Sequence, residues 1–244
     1  MTVALEIAVQ DPDGVLVAVR GGADRIELCT ALALGGLTPS AALIDAAVAA
    51  ATPVHVLVRP RAGGFEYSAS EVLVMLDDVR RAVGAGARGV VVGAVRDGRV
   101  DATLVARVRA TAGSAEVTFH RAFDTLADRD QAIDVLAGIG VDRILTSGGA
   151  SRAIDALDDI ARIVARADGR LEVMAGAGID DSMVGAVAAT GVAAIHASAK
   201  RVVDEALQID LGSLAGAGRS TREATDERRV RALRTTIDAL ERAR

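Results

Sequence analysis

Short β-branched and aliphatic runs alternate with Ala-rich segments of helical length along most of the chain. The runs are Val3 to Val9, Arg25 to Cys29, Val54 to Arg59, Gly89 to Val92, Glu116 to His120, Arg143 to Ser147, Leu171 to Ala175 and Ala193 to Ala197. Between them, Ser40 to Ala51, Ser70 to Ala85, Ala102 to Ala112 and Ser151 to Ala167 carry apolar residues at three- and four-residue spacing, the period of an amphipathic helix. Ser40 and Ser151 are the expected N-caps. Glycine-containing phrases such as Gly21-Gly22-Ala23-Asp24 and Gly138-Ile139-Gly140-Val141-Asp142 stand before strands, where glycine closes the preceding helix in a left-handed cap. Strand and helix alternating in this way predict parallel β/α units, and eight of them close into a (β/α)8 TIM barrel over residues 1–210, with an open doubly wound sheet as the alternative.

After the eighth run the pattern stops. Leu211 to Ser220 is rich in Gly, Ala and Ser and reads as a linker. From Arg222 to Arg244 the chain is charged, with Val230, Leu233, Ile237 and Leu240 forming one stripe. This predicts an additional C-terminal helix within 211–244, packed on the barrel or at an oligomer contact.

Composition narrows the function classes. Hydrophobic residues make up 51% of the 244, but aromatics only 2%, so the core is built from Ala, Val, Leu and Ile. A net charge of −5 argues against a nucleic-acid partner, which requires a basic face. Of the 28 basic residues only Lys200 is a lysine, so nearly every cation is a guanidinium suited to carboxylate or phosphate. Cys29 is the single cysteine, which fits a reducing cytoplasm, and neither a signal peptide nor a membrane span is expected.

A parallel barrel keeps its chemistry at the C-terminal ends of its strands. Those positions offer Glu6, then Glu27 and Cys29, then Arg59 with Arg61 beyond, then His120, Arg121 and Asp124. They continue with Ser147-Gly148-Gly149, with Gly176, and with His196 and Ser198. Glu6, Glu27, His120, Asp124 and His196 are the expected acid/base groups. Glu6 or Glu27 would serve as base, His120 or His196 as acid, and Asp124 would orient Arg121 or a histidine. Crowded charges inside a barrel require partners, so Glu6 and Glu27 are expected to face Arg59 or Arg121. Arg59, Arg61, Arg121, Ser147, Ser198 and the glycine loops at Gly148, Gly149 and Gly176 are the expected ligand-binding set, for a small anionic metabolite. Lyase and isomerase chemistry fits, and His55, deeper on its strand, reads as structural.

Several phrases together resemble the CutC family of copper homeostasis proteins. They are Gly21 to Cys29, Leu34 to Ser40, Pro53 to Gly63, Val117 to Asp124, Asp142 to Gly149, and His196-Ala197-Ser198. The resemblance implies a (β/α)8 barrel, a cytoplasmic location, a homodimer or higher homo-oligomer, and a role in copper tolerance or trafficking. One departure bears on copper. Family members often carry a cysteine on the first strand where this chain has Ala8, which leaves Cys29 as the expected Cu(I) ligand with histidine partners.

Overall fold

The computed structural model describes residues 3–50, 52–206 and 219–243. Eight parallel strands close into a barrel: β1 (Ala4–Val9), β2 (Arg25–Leu28), β3 (Val54–Leu57), β4 (Gly89–Val92), β7 (Glu116–Phe119), β8 (Arg143–Thr146), β9 (Glu172–Ala175) and β10 (Ala194–Ala197). The small hairpin of β5 (Val95–Arg96) and β6 (Arg99–Val100) follows the fourth barrel strand. Helices α1 (Pro12–Gly21), α2 (Ala41–Val48), α3 (Ala69–Gly84), α4 (Ala102–Ala112), α5 (Arg129–Ile139), α6 (Leu157–Ala167) and α7 (Val184–Ala189) lie between successive barrel strands. The barrel closes where β1 pairs with β10.

Period-two alternation explains why these runs become barrel strands. Leu5, Ile7, Ile26, Val56, Val90, Phe119, Ile144 and Ile195 belong to the main buried core shared with the helices. Their strand neighbours point inside, where apolar contact shrinks to two small clusters, Cys29 with Leu57 and Val91, and Leu145 with Met174 and Ala194. Much of the rest of the interior is polar or charged. Near the N-terminal strand ends Arg143 donates to Glu116 (3.1 Å), Glu172 (2.7 Å) and Thr118 (3.1 Å), and His55 lies 3.6 Å from Glu116. His55 therefore sits in this lower network, away from the mouth.

Local signals set the helix ends. Asp11 accepts from the Gly14 N–H at 2.7 Å ahead of Pro12, and Gly22, at φ 89°, closes α1. Ser40 caps α2 by accepting from Leu43. Ser151 does not cap α6: Ala153–Ala156 form a 3-10 turn and the helix begins at Leu157. Gly148 and Gly149, both at positive φ, first turn the chain into a loop.

The segment after the barrel differs from expectation. Lys200–Ala206 (β11) pairs antiparallel with Arg219–Thr225 (β12), so Arg222 to Thr225 are strand and the last helix, α8, runs Glu227–Arg242. Pairing with β11 supplies the backbone partners that override the helical reading, and Asp226 caps α8. Of the expected linker, residues 211–218 lie outside the described residues. Val230, Leu233 and Ile237 of α8 are buried against α1 and α7. Gly21 permits the approach, since a Cβ there would fall 2.4 Å from Val230.

Candidate functional site at the barrel mouth

Strand register assembles the inner half of the site. Glu6 and His196 are Cα partners across β1 and β10, and Glu6 and Arg25 across β1 and β2. Fully buried Glu6 is thereby held from both sides, by the Arg25 Nε–H at 2.7 Å and by His196 Nδ1 at 2.8 Å. The expectation that Glu6 faces Arg59 or Arg121 is corrected: those residues lie just beyond the ends of β3 and β7, whereas Arg25 is its direct cross-strand neighbour. Burial alone would raise the Glu6 carboxyl, but the His196 hydrogen bond and the Arg25 charge hold it well below the usual carboxylate range. Burial likewise works against a charged His196, yet the Glu27 and Glu6 charges outweigh it and hold the imidazole above its ordinary value.

Glu27 follows Arg25 on the same face of β2 and lies opposite Ala8. It is 7% exposed, and its carboxylate makes no hydrogen bond among the described residues. It therefore has no guanidinium partner either, neither Arg59 nor Arg121. Burial pushes this carboxyl up to about 7, with the His196 charge opposing and the Glu6 charge adding. Ligand atoms of Glu6, Glu27 and His196 lie within 4.8 Å of one another, close enough to share a metal ion. Cys29 stands outside that set. It is fully buried beside Leu57 and Val91 with its thiol directed to the Val9 carbonyl at 3.5 Å, and burial pushes the thiol up.

The outer half comes from β3, β7 and their loops. His120 Nδ1 accepts the Ala122 N–H at 3.0 Å, which places the ring hydrogen on Nε2, and Nε2 is buried without a partner. Burial and the Arg59 charge bring this imidazole down to about 3, so it is neutral. Its ring rests 5.0 Å from Phe65 and fills the space that a Cβ on Gly93 would occupy. Arg59 donates to the carbonyls of Leu34 (3.0 Å), Gly36 (2.9 Å) and Gly63 (2.8 Å), while its Nε is buried and unpaired. Arg121 donates to Asp124 (2.9 Å) and Ser147 (2.7 Å), and Asp124 also accepts from Thr146 and the Ser147 N–H. A cavity of about 280 Å³ is lined by Glu27, Arg59, His120, Arg121 and His196 together with Phe65 and other apolar neighbours.

Other expected members lie elsewhere. Arg61 turns outward to Glu71 (2.5 Å) and the Glu66 carbonyl (2.6 Å), because Glu71, in the capping box of α3, is the nearer anion. The glycine loops spend their N–H groups internally: Gly148 donates to Thr146 Oγ1 at 2.9 Å and Gly176 to the Thr146 carbonyl at 2.9 Å. Gly149 admits Arg129, whose Nη2 lies 2.2 Å from where a Cβ would stand. Ser147 is bound into the Asp124 network, and Ser198 lines a separate cavity of about 480 Å³ with Lys200 and Arg229. Sequence reasoning missed Arg25, Arg143 and Phe65. The two arginines begin their strands, and only their parity with Glu27 and Ser147 points inside.

A family model described as the CutC family matches residues 3–201. The chain belongs to the CutC family. A CutC family protein from Sinorhizobium medicae is 40% identical over 242 residues, covering 98% of this chain and 97% of the relative. The copper homeostasis protein cutC homolog of Homo sapiens is 39% identical over 237 residues, covering 94% and 87%. Among solved structures, a CutC from Streptococcus agalactiae superposes with a TM-score of 0.77 at 28% identity, covering 81% of this chain and 99% of that one. The family match spans every barrel strand and ends within β11.

Proposed function

We propose that this chain serves in copper homeostasis, and that its barrel mouth is where the ligand is held. The supporting observation is family membership together with a buried Glu6, Glu27 and His196 grouping at the mouth. His196 is oriented by its Nδ1 contact with Glu6, the arrangement that commonly fixes a metal-binding imidazole. The donor chemistry favours Cu(II), since imidazole and carboxylate suit the oxidised ion, whereas Cu(I) prefers thiolate and would depend on Cys29. Parallel Cu(I) and Cu(II) competition titrations of wild type, Cys29→Ser and His196→Ala test the reading. Copper bound at one per chain and lost in His196→Ala supports the mouth, loss in Cys29→Ser moves the ligand to the thiol, and no binding of either ion overturns direct copper handling. The proposal includes a cytoplasmic setting and a homo-oligomer, the latter measured by light scattering.

A second reading, a lyase- or isomerase-type enzyme acting on a small anionic metabolite, is favoured by one observation. The 280 Å³ cavity joins an unpartnered carboxylate, two imidazoles and two guanidiniums, a set suited to proton transfer beside an anion.

A further inference from the structure

The mouth cavity contains two buried donors without acceptors. His120 Nε2 and Arg59 Nε are both unpaired, and both residues line the same 280 Å³ space. Buried N–H groups normally find partners, so two orphans on residues that line one cavity point to an acceptor atom supplied by a ligand. His120 can only donate there, because its Nδ1 is already the acceptor of the Ala122 N–H. The Arg59 position is equally fixed, since its Nη atoms are spent on the carbonyls of Leu34, Gly36 and Gly63. Phe65 backs both groups, 5.0 Å from the His120 ring and 5.3 Å from the Arg59 guanidinium carbon. Rigid donors of this kind stabilise an oxygen that gains charge during a reaction.

Elsewhere on the cavity wall is a carboxylate without a hydrogen-bond partner, Glu27, with His196 within 4.8 Å of it. Arg121 lines the cavity too, steadied by Asp124 and Ser147. A base, a neutral imidazole donor and a cation around one small space match the requirements for taking a proton from carbon next to a carbonyl.

We propose that the mouth enolises a small 2-oxo carboxylic acid, with the oxo oxygen held by His120 and Arg59, the carboxylate near Arg121, and Glu27 as the base. This rests on the acid–base reading above and names its substrate class and reaction. Glu27 takes the proton from C3, and the C–H electron pair becomes the C2–C3 double bond. The carbonyl π pair moves onto the oxygen, where the two N–H groups stabilise it. Return of the proton from Glu27 to C3 restores the ketone, so the cycle needs no oxidant, reductant or second substrate. In D2O the proton on Glu27 exchanges with solvent before it returns, so a deuteron is delivered and the net change is hydrogen exchanged for deuterium at C3.

The test is proton NMR of pyruvate in D2O with the full chain, following loss of the methyl signal against a protein-free blank. Wild type is expected to accelerate exchange, Glu27→Gln to remove the acceleration by roughly 10²- to 10⁴-fold, and His120→Phe by roughly 10²- to 10³-fold. His120→Phe keeps the aromatic packing, so it reports the lost donor if Glu27→Gln fails to fold. Pyruvate binding is read in parallel from the wild-type His120 ring resonances. Binding without exchange overturns the enolisation while leaving the acid–base reading standing. Neither binding nor exchange overturns both, and exchange unaffected in both variants overturns the assigned roles.

Discussion

Replacing Glu27 by Gln tests the electrostatics of the mouth through stability alone. The wild-type carboxyl is 7% exposed and held up to about 7, against an ordinary value of 4.5. A group whose folded pKa lies above its unfolded one stabilises the fold fully below the unfolded value and loses that contribution as pH rises through the folded value. Across that gap the loss is roughly 3 kcal/mol, the opposing charge of His196 being already contained in the value near 7. Glutamine keeps the shape and cannot ionise. For a chain of this size each kcal/mol moves Tm by about 2–4 °C, so Glu27→Gln is expected to melt up to about 10 °C above wild type at pH 8. Most of the gain should vanish at pH 5, where the wild-type carboxyl is protonated in the fold. Differential scanning calorimetry of both proteins from pH 5 to 8 measures this. A Tm difference that does not change with pH, or a mutant that melts lower at pH 8, would refute the assignment of Glu27 as a buried, uncompensated carboxyl.

Three further outcomes follow from the geometry. Arg143→Met takes from Glu116 its most buried cation while Arg88 remains at 3.1 Å, and is expected to cost about 1.5–3 kcal/mol in urea denaturation, and a loss under 1 kcal/mol would show the lower network to be dispensable. Gly93→Ala places a Cβ 2.1 Å from His120 Cε1, so a cost of about 1–3 kcal/mol is expected, with displaced His120 ring signals in NMR; unchanged signals would contradict the packing. Cys29, buried with its thiol pushed up, should resist a thiol reagent at pH 8 until denaturant is added, and fast native labelling would contradict its placement.

The barrel was legible because nearly every strand's outward face is an apolar series, as in Leu5, Ile7 and Val9, and helix-period segments separate the strands. The mouth was partly legible for a related reason. Glu27, His120 and His196 sit at or near strand ends, where parallel barrels gather polar groups. Pairing was not legible. Arg25 begins its strand and meets Glu6 only through the β1–β2 register, a relation between segments 19 residues apart. Loop conformation was hidden for the same reason: Arg61 is drawn to Glu71, and the Gly148 and Gly176 N–H groups to Thr146, by contacts that exist only once the chain has folded. Arg219–Thr225 carries no apolar face that marks a strand; only its partner β11 makes it one.

The pairing of β1 with β10 has a consequence for how the protein is made. Glu6 and His196, which meet across that seam, are 190 residues apart. At about 5–20 residues per second on the ribosome, β1 is synthesised roughly 10–40 s before its partner. Throughout that interval the edge of β1 has unsatisfied backbone groups, the kind of edge that recruits foreign strands. The emerging chain thus passes through a stage in which its sheet is open and its Glu6–His196 pair does not exist. Chaperone occupancy during translation should therefore fall only after Ala197 has left the exit tunnel, and a nascent chain stalled before Ala194 should aggregate where one stalled beyond the C-terminus does not.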